Sequence, residues 1–304
     1  MAEVVTRYEL RNRYLFEGQL VMQTALHIGG GKASLSRSDS PVVLTPTGHP
    51  FIPGSSFKGA LRSTVEKLVP QLPQLPDGAK LSSCALIELP AEDQALETRS
   101  ESKHKSCPTA RQKGIRDRRR ELEQKGKEYD LEEYEFPYLC NTCGLFGSPF
   151  SAARANVNDL YLSSEQWEGG IQVRDGVVID RDSETAKDGL KYDFEVVPAS
   201  ATFKLRIQLE NATDQDLQLI CVGLSEFVQG FGMIGGKRSR GLGACTLEEL
   251  TVSSLELVSK DSDGKDIKHY ERLQNYLVDG TFSTLKEPGQ EFLSRHINSI
   301  FKKG

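Results

Sequence analysis

Apolar and polar residues alternate through residues 12–26. Tyr14, Phe16, Gly18, Leu20, Met22, Thr24 and Leu26 fall on one side, so a half-buried β-strand is expected there. Short strands at 41–44 and 49–52 flank a turn at Thr45-Pro46-Thr47-Gly48. The period then changes. Phe57, Leu61, Val65 and Leu68 recur at helical spacing, which predicts a serine-capped helix over 56–69 that stops at Pro70. Residues 152–162 read as a strand. Residues 171–199 read as a hairpin with arms at 171–179 and 192–197 and a tip holding Asp180, Asp182, Glu184 and Asp188. Over 202–209, Phe203, Leu205, Ile207 and Leu209 alternate with Lys204, Arg206 and Gln208, the mark of a strand with one wet face. A helix follows from about Asp214, which can cap it, with a stripe of Leu217, Ile220, Leu224, Phe227 and Val228. A last strand is expected at 244–252.

Strand, helix, strands, helix, strand is an α+β order. It predicts a ferredoxin-like, RRM-like βαββαβ core over 1–70 and 144–252, carrying the long hairpin. The aromatic stacking motifs of an RRM are absent, so nucleic acid need not lie on the sheet. Residues 71–143 read as a cysteine-bearing insertion. The tail, 253–304, balances eight cations against eight acids, and its Tyr270, Leu273, Leu277, Phe292, Ile297, Ile300 and Phe301 suit short amphipathic helices for packing or subunit contact.

Composition narrows the class. The 304 residues, 38% hydrophobic and 27% charged, can bury a sizeable core. No apolar run is long enough to cross a bilayer, and the first residues lack the apolar centre of a signal peptide, so a cytoplasmic protein with no membrane partner is expected. A net charge of −5 argues against a generic nucleic-acid binder, which directs attention to where the cations gather. Residues 99–120 carry nine Lys/Arg against Glu101 and Asp117, and 121–135 carry seven acids against two lysines. That arm reads as a solvated charged loop, or as a contact with RNA or a neighbouring subunit through Arg116, Arg118, Arg119 and Arg120.

Of the six cysteines, Cys140 and Cys143 form a C-x-x-C pair that can grip one tetrahedral ion. With Cys84 and Cys107 they make four thiolates for a structural zinc, with His104 as a possible substitute ligand and buried free thiols as the alternative. Cys221 and Cys245 read as core.

The richest stretch is 26–62. It holds the run Gly29-Gly30-Gly31, a polar loop with the lone carboxylate Asp39 among Lys32 and Arg37, and a helix start at Ser55 and Ser56 with Lys58 and Arg62 one turn apart. Four cations against one acid suit phosphate. Asp39 can hold a divalent cation such as Mg²⁺ near a scissile phosphate, accept a proton from a ribose 2′-hydroxyl, or simply cap a turn. A P-loop is excluded because Ala33 follows Lys32 and Leu26 stands where the first glycine belongs. An acyl-enzyme serine lacks its K-T-G and S-D-N partners. A second basic glycine loop contains Gly235, Gly236, Lys237, Arg238 and Arg240. It precedes a strand and so is no dinucleotide fingerprint.

His27-Ile28-Gly29-Gly30, Asp39-Ser40-Pro41-Val42, the run from Ile52-Pro53-Gly54-Ser55-Ser56-Phe57-Lys58-Gly59 to Leu61-Arg62, and the second glycine loop together resemble the RAMP superfamily. The resemblance is greatest to the repeated backbone subunit of type III (Csm/Cmr-type) CRISPR effector complexes. Cys143-Gly144-Leu145-Phe146-Gly147-Ser148 is similar to the family's C-x-L-F-G-S segment, with Gly144 where arginine is common, and similar cysteine-bearing insertions occur in the family. The resemblance implies a subunit that holds guide CRISPR RNA and cleaves paired target RNA at the aspartate matching Asp39. It implies that hairpin 171–199 is a thumb. It also implies as partners neighbouring backbone subunits, a polymerase-like large subunit, a guide 5′-end-capping subunit and a small subunit. The alternative is an inert subunit that only holds guide RNA. A guide-processing endonuclease is disfavoured because no histidine base stands in a loop.

Overall fold

The computed structural model describes residues 9–30, 38–84, 120–126, 139–148, 151–163, 170–177, 181–182, 184, 192–280, 282 and 286–302. Lys32, Arg37, His104, Cys107 and most of the charged arm lie outside the described residues.

Strand β1 (Asn12–Met22) is the centre of a five-stranded antiparallel sheet. The other members are β3 (Ala155–Val157), β7 (Thr202–Glu210), β8 (Cys245–Glu256) and β11 (Glu287–Pro288), in the order β11-β8-β1-β7-β3. The alternation read from the sequence sets the register: Phe16 stands opposite Ile207 and Val252, and Leu20 opposite Phe203 and Leu247. All six are buried on one face, while Lys204 and Arg206 point to the other.

Helices α1 (Gly54–Leu68) and α3 (Asp214–Val228) cover the apolar face, with Phe57 and Phe227 ring to ring at 5.1 Å. Thr213, not Asp214, caps α3. Its hydroxyl accepts from the Asp216 N–H while Asp216 accepts from the Thr213 N–H, a capping box. A further helix, α5 (Gly289–Phe301), packs beside α3 and drives Phe292 edge-on against Phe16, so the end of the tail belongs to the core. After a short antiparallel pair, β9 (Val258–Lys260) and β10 (Asp266–Lys268), helix α4 (Tyr270–Asp279) leans on a smaller cluster around Leu255 and Leu257 through Leu273 and Tyr276. Leu75 and Leu81, from the start of the expected insertion, also enter the main core.

Two smaller pairings shape the site. Strand β2 (Phe51–Ile52) pairs with β4 (Leu160–Tyr161), tying the lead-in of α1 to the end of β3. Strands β5 (Gln172–Gly176) and β6 (Tyr192–Val196) form the expected hairpin, of which the described tip residues are few. Its base is fixed to the core where Leu26 and Val197 exchange both backbone hydrogen bonds at 2.8 Å.

The start of α1 differs from expectation. Pro53 is the N-cap, and the first N–H, from Gly54, donates to the Asp159 carboxylate at 2.7 Å. A carboxylate therefore already satisfies the helix end expected to receive phosphate. Gly54 is there for packing: a Cβ on it would fall 2.3 Å from the Val157 carbonyl oxygen.

Candidate nucleic-acid interface and cysteine knuckle

The chain leaves β1 at Met22 and runs as a seam, 23–30, to which three other segments attach. On one side residues 41–43 pair with it: Gly30 N–H donates to Pro41 O and Val43 N–H to Ile28 O. On another the second glycine loop closes over it, with Gly236 N–H donating to His27 O at 2.8 Å and Gly243 N–H to Ala25 O at 2.9 Å. Gly235 is required here. Its φ is +83°, and a Cβ would sit 2.4 Å from the His27 oxygen. The third segment is β6.

Strand β6 presents two chemistries on its two sides, as strand alternation requires. Tyr192 and Phe194 face the second glycine loop. Lys237 sets its ammonium over both rings, 4.5 Å from the Phe194 centroid, and Arg240 donates to the Tyr192 hydroxyl. Asp193 and Glu195 face the segment carrying Asp39. Asp39 N–H donates to Asp193 Oδ1 at 2.6 Å, and Asp193 N–H returns a bond to Asp39 Oδ2 at 3.1 Å. Glu195 Oε2 accepts from Val42 N–H, and Glu195 N–H donates to Ser40 O, both at 3.0 Å.

His27 is buried between these parts. Its Nδ1 donates to the Glu195 carbonyl at 2.7 Å, which fixes the tautomer and leaves Nε2 to accept the Ser40 hydroxyl at 3.2 Å. The histidine is thus built into the frame, bonded to Ser40, the residue that follows Asp39.

The sequence-predicted residues divide. Gly29, Gly30, Asp39, Gly235, Gly236, Lys237, Arg238 and Arg240 come together along this seam, with Asp39, Gly29, Gly30, Gly236, Arg238 and Arg240 exposed. Ser55, Ser56 and Lys58 stand at the start of α1, where burial, and then the charge of Arg62, lowers the pKa of Lys58. Arg62 does not join a phosphate-facing surface. It is 8% exposed, and it donates to Glu66 at 2.7 Å, to the Gly147 carbonyl at 2.7 Å and to Cys143 Sγ at 3.3 Å. Burial opposes its charge, and the bonds to Glu66 and Cys143 outweigh that, raising its pKa. The apolar spacing that buries Leu61 and Val65 carries Arg62 inward with them.

What Arg62 reaches is the cysteine knuckle. Helix α2 (Asn141–Phe146) begins at Cys140, whose Sγ accepts from Cys143 N–H at 3.4 Å. Cys84 Sγ lies 3.4 Å from Cys143 Sγ, and all three sulfurs fall within 4.8 Å of one another, buried. Zn–S bonds of about 2.3 Å at tetrahedral angles place sulfurs about 3.8 Å apart, so the set fits three corners of a zinc site. Cys221 and Cys245 are buried elsewhere; burial raises both thiols, Cys245 to about 12, so they remain protonated core residues. Gly144 has a plain reason to lack a side chain, since the Arg154 guanidinium lies 2.9 Å from where its Cβ would be.

Sequence reasoning missed Tyr192, Asp193, Phe194 and Glu195. Their alternation of aromatic and acid was the available signal, and attention to the acidic tip obscured it.

An antiparallel sheet with helices on one face, and two glycine loops meeting at a hairpin beside an exposed aspartate, make a mixed α/β protein whose seam gathers basic and acidic side chains. The family model described as the RAMP superfamily matches residues 19–246, both glycine stretches included. The chain belongs to the RAMP superfamily. It is 24% identical over 259 residues, covering 80% of this chain and 82% of the relative, to "CRISPR system Cms endoribonuclease Csm3" of Methanocaldococcus jannaschii. A protein of that name from Streptococcus thermophilus is 26% identical over 248 residues, 79% of this chain and 89% of the relative. Another, from Methanothermobacter thermautotrophicus, reaches 42% over 59 residues, 18% of this chain and 24% of the relative. Among the described residues, no helix is long and apolar enough to cross a membrane.

Proposed function

We propose that this chain is a backbone subunit of a type III CRISPR effector complex, binding guide RNA along the glycine-loop seam and cleaving the paired target RNA at Asp39. The observation that carries the reading is the meeting of an exposed carboxylate with two glycine loops, one of them holding Lys237, Arg238 and Arg240, on one hairpin. Relatives named as CRISPR endoribonucleases over four-fifths of the chain support it. The strand order β8-β1-β7-β3, with α1 and α3 on the apolar face, supports a ferredoxin-like core, and the β5–β6 hairpin supports the thumb reading.

The chemistry asks little of the protein. A target ribose 2′-hydroxyl attacks the adjacent phosphorus in line once the backbone is kinked, and the 5′-oxygen leaves. The seam's cations grip phosphate without regard to base, and guide–target pairing supplies the sequence. On this reading Asp39 takes the 2′-hydroxyl proton or holds a divalent cation such as Mg²⁺, which would supply charge neutralisation at the phosphate. Lys32 and Arg37 belong to the same loop. Partners on this reading are guide CRISPR RNA, complementary target RNA, neighbouring backbone subunits, and the large, 5′-end-capping and small subunits of the complex.

The knuckle is a structural zinc site on this reading, with Cys84, Cys140 and Cys143 as ligands and Cys107 as the fourth. A fully ligated zinc fastens the insertion and leaves catalysis to the seam.

The test uses the assembled guide-loaded complex, complementary RNA labelled at either end, and Mg²⁺. The account expects cuts at regular intervals whose products carry 5′-hydroxyl and 2′,3′-cyclic phosphate ends, and which chelator removes. A complex that binds target yet leaves it whole makes the chain an inert guide-holding subunit.

A further inference from the structure

We infer that Asp193 is a positioning residue for Asp39, an inference that rests on the cleavage role proposed above. Asp39 is exposed and, among the described residues, sits in a segment with no helix or strand of its own to fix its carboxylate. An exposed aspartate ordinarily samples several rotamers, and a displacement of about 1 Å at a reacting group can cost about 100-fold in rate.

The reciprocal pair supplies the missing constraint. Asp193 Oδ1 accepts the Asp39 N–H at 2.6 Å and so holds the main chain, while the Asp193 N–H donates to Asp39 Oδ2 at 3.1 Å and so holds the side chain. Oδ1 of Asp39 takes no hydrogen bond among the described residues and is left for substrate or cation. The arrangement brings like charges together, and across the hairpin Asp175 stands directly opposite Asp193 as a third. Like charges opposite one another in a sheet are unfavourable by themselves, and here the Asp39 and Asp193 carboxylates are each offset by the other residue's backbone N–H. Glu195 repeats the device two residues on, accepting Val42 N–H at 3.0 Å. One edge of β6 therefore clips the whole Asp39-to-Val42 segment, and the hairpin sets where the proposed catalytic carboxylate stands.

The substitution pair Asp193→Ala and Asp193→Asn separates positioning from other roles. Alanine removes the acceptor. Asparagine keeps an oxygen for the Asp39 N–H and discards the charge, and neither alters the β6 N–H. In the assembled complex, single-turnover cleavage is measured at saturating target, with target affinity alongside. Hydrogen exchange is read on a peptide spanning 38–44 in the complex without target.

The expected result for alanine is a cleavage rate lower by about tenfold, unchanged target affinity and faster exchange at 38–44; asparagine restores rate and exchange to within about twofold of wild type. Alanine at the wild-type rate, or with unchanged exchange, overturns the proposal. So does asparagine as slow as alanine, because the charge would then act directly and Asp193 would be a catalytic group. Asp39→Ala runs in parallel. If it cuts normally, the cleavage reading fails by itself, while the exchange data still decide whether Asp193 holds the segment.

Discussion

Asp39 and Arg62 come from one continuous basic stretch, 26–62, and end in opposite surroundings. Asp39 is exposed, carried by a segment without regular structure and held by hydrogen bonds to β6. Arg62 is buried on α1, its guanidinium given to Glu66, Gly147 and Cys143. The seam around Asp39 is open and can meet a ligand; the knuckle around Arg62 is closed and holds the molecule to itself. Nearness within a motif therefore does not assign a shared task. A helix rotates by about 100° per residue, so Arg62, next to Leu61 at the edge of the apolar stripe, is turned inward where Glu66, Gly147 and Cys143 receive it.

Changes on the closed side should act on stability and leave RNA chemistry alone. The largest effect is expected for Cys143→Ser, which removes one of the three buried thiols proposed to hold zinc. Elemental analysis should find zinc near one per chain in wild type and sharply less in the variant. The unfolding midpoint should drop by about 10 °C, which is ~4 kcal/mol at about 2–4 °C per kcal/mol. A variant with full zinc and an unmoved midpoint breaks the comparison.

Arg62→Ala comes next. It strands Glu66 and the Gly147 carbonyl and should cost about 3 kcal/mol in denaturant unfolding, with the salt dependence of RNA binding unchanged. Unchanged stability with a shallower salt slope would move Arg62 to the open side.

On the open side, Lys237→Ala should weaken guide RNA binding a few-fold. Each phosphate contact contributes about 0.7 to the slope of log affinity against log salt for a single strand, and titration at several salt concentrations should show the variant's slope shallower by that amount. An unchanged slope would confine Lys237 to its stacking on Tyr192 and Phe194.

The smallest effect lies in neither region. Burial, and then the charge of Arg295, lowers the pKa of His296 on α5. The unfolded chain thus takes up the proton first, and stability falls as pH drops through the ordinary histidine value of about 6.5. His296→Gln should flatten that part of the stability–pH curve without touching cleavage. An equal slope in the variant would assign the pH dependence elsewhere.

The sheet was legible because strand alternation is a two-residue pattern: Phe203, Leu205, Ile207 and Leu209 announce one face without help from the rest of the chain. Asp39 and the glycine loops stood out as candidates through residue type, spacing and the resemblance to the RAMP superfamily. What could not be read was which side of a half-polar helix faces the core, so Arg62 passed for a phosphate ligand. The cap of α1 was hidden for a related reason, since Asp159 arrives from 105 residues away. Asp193 and Glu195 also depend on tertiary pairing, 154 and 153 residues from their partners.

The central claim is that the open seam, through Asp39, cuts RNA. Cleavage rate and target affinity measured together on the assembled effector carrying Asp39→Ala test it most directly. The account predicts a rate at least about 100-fold lower with affinity within about twofold of wild type. Target RNA cut at the wild-type rate and positions would contradict it, leaving Asp39 as part of a scaffold and the seam as a place where RNA is only held.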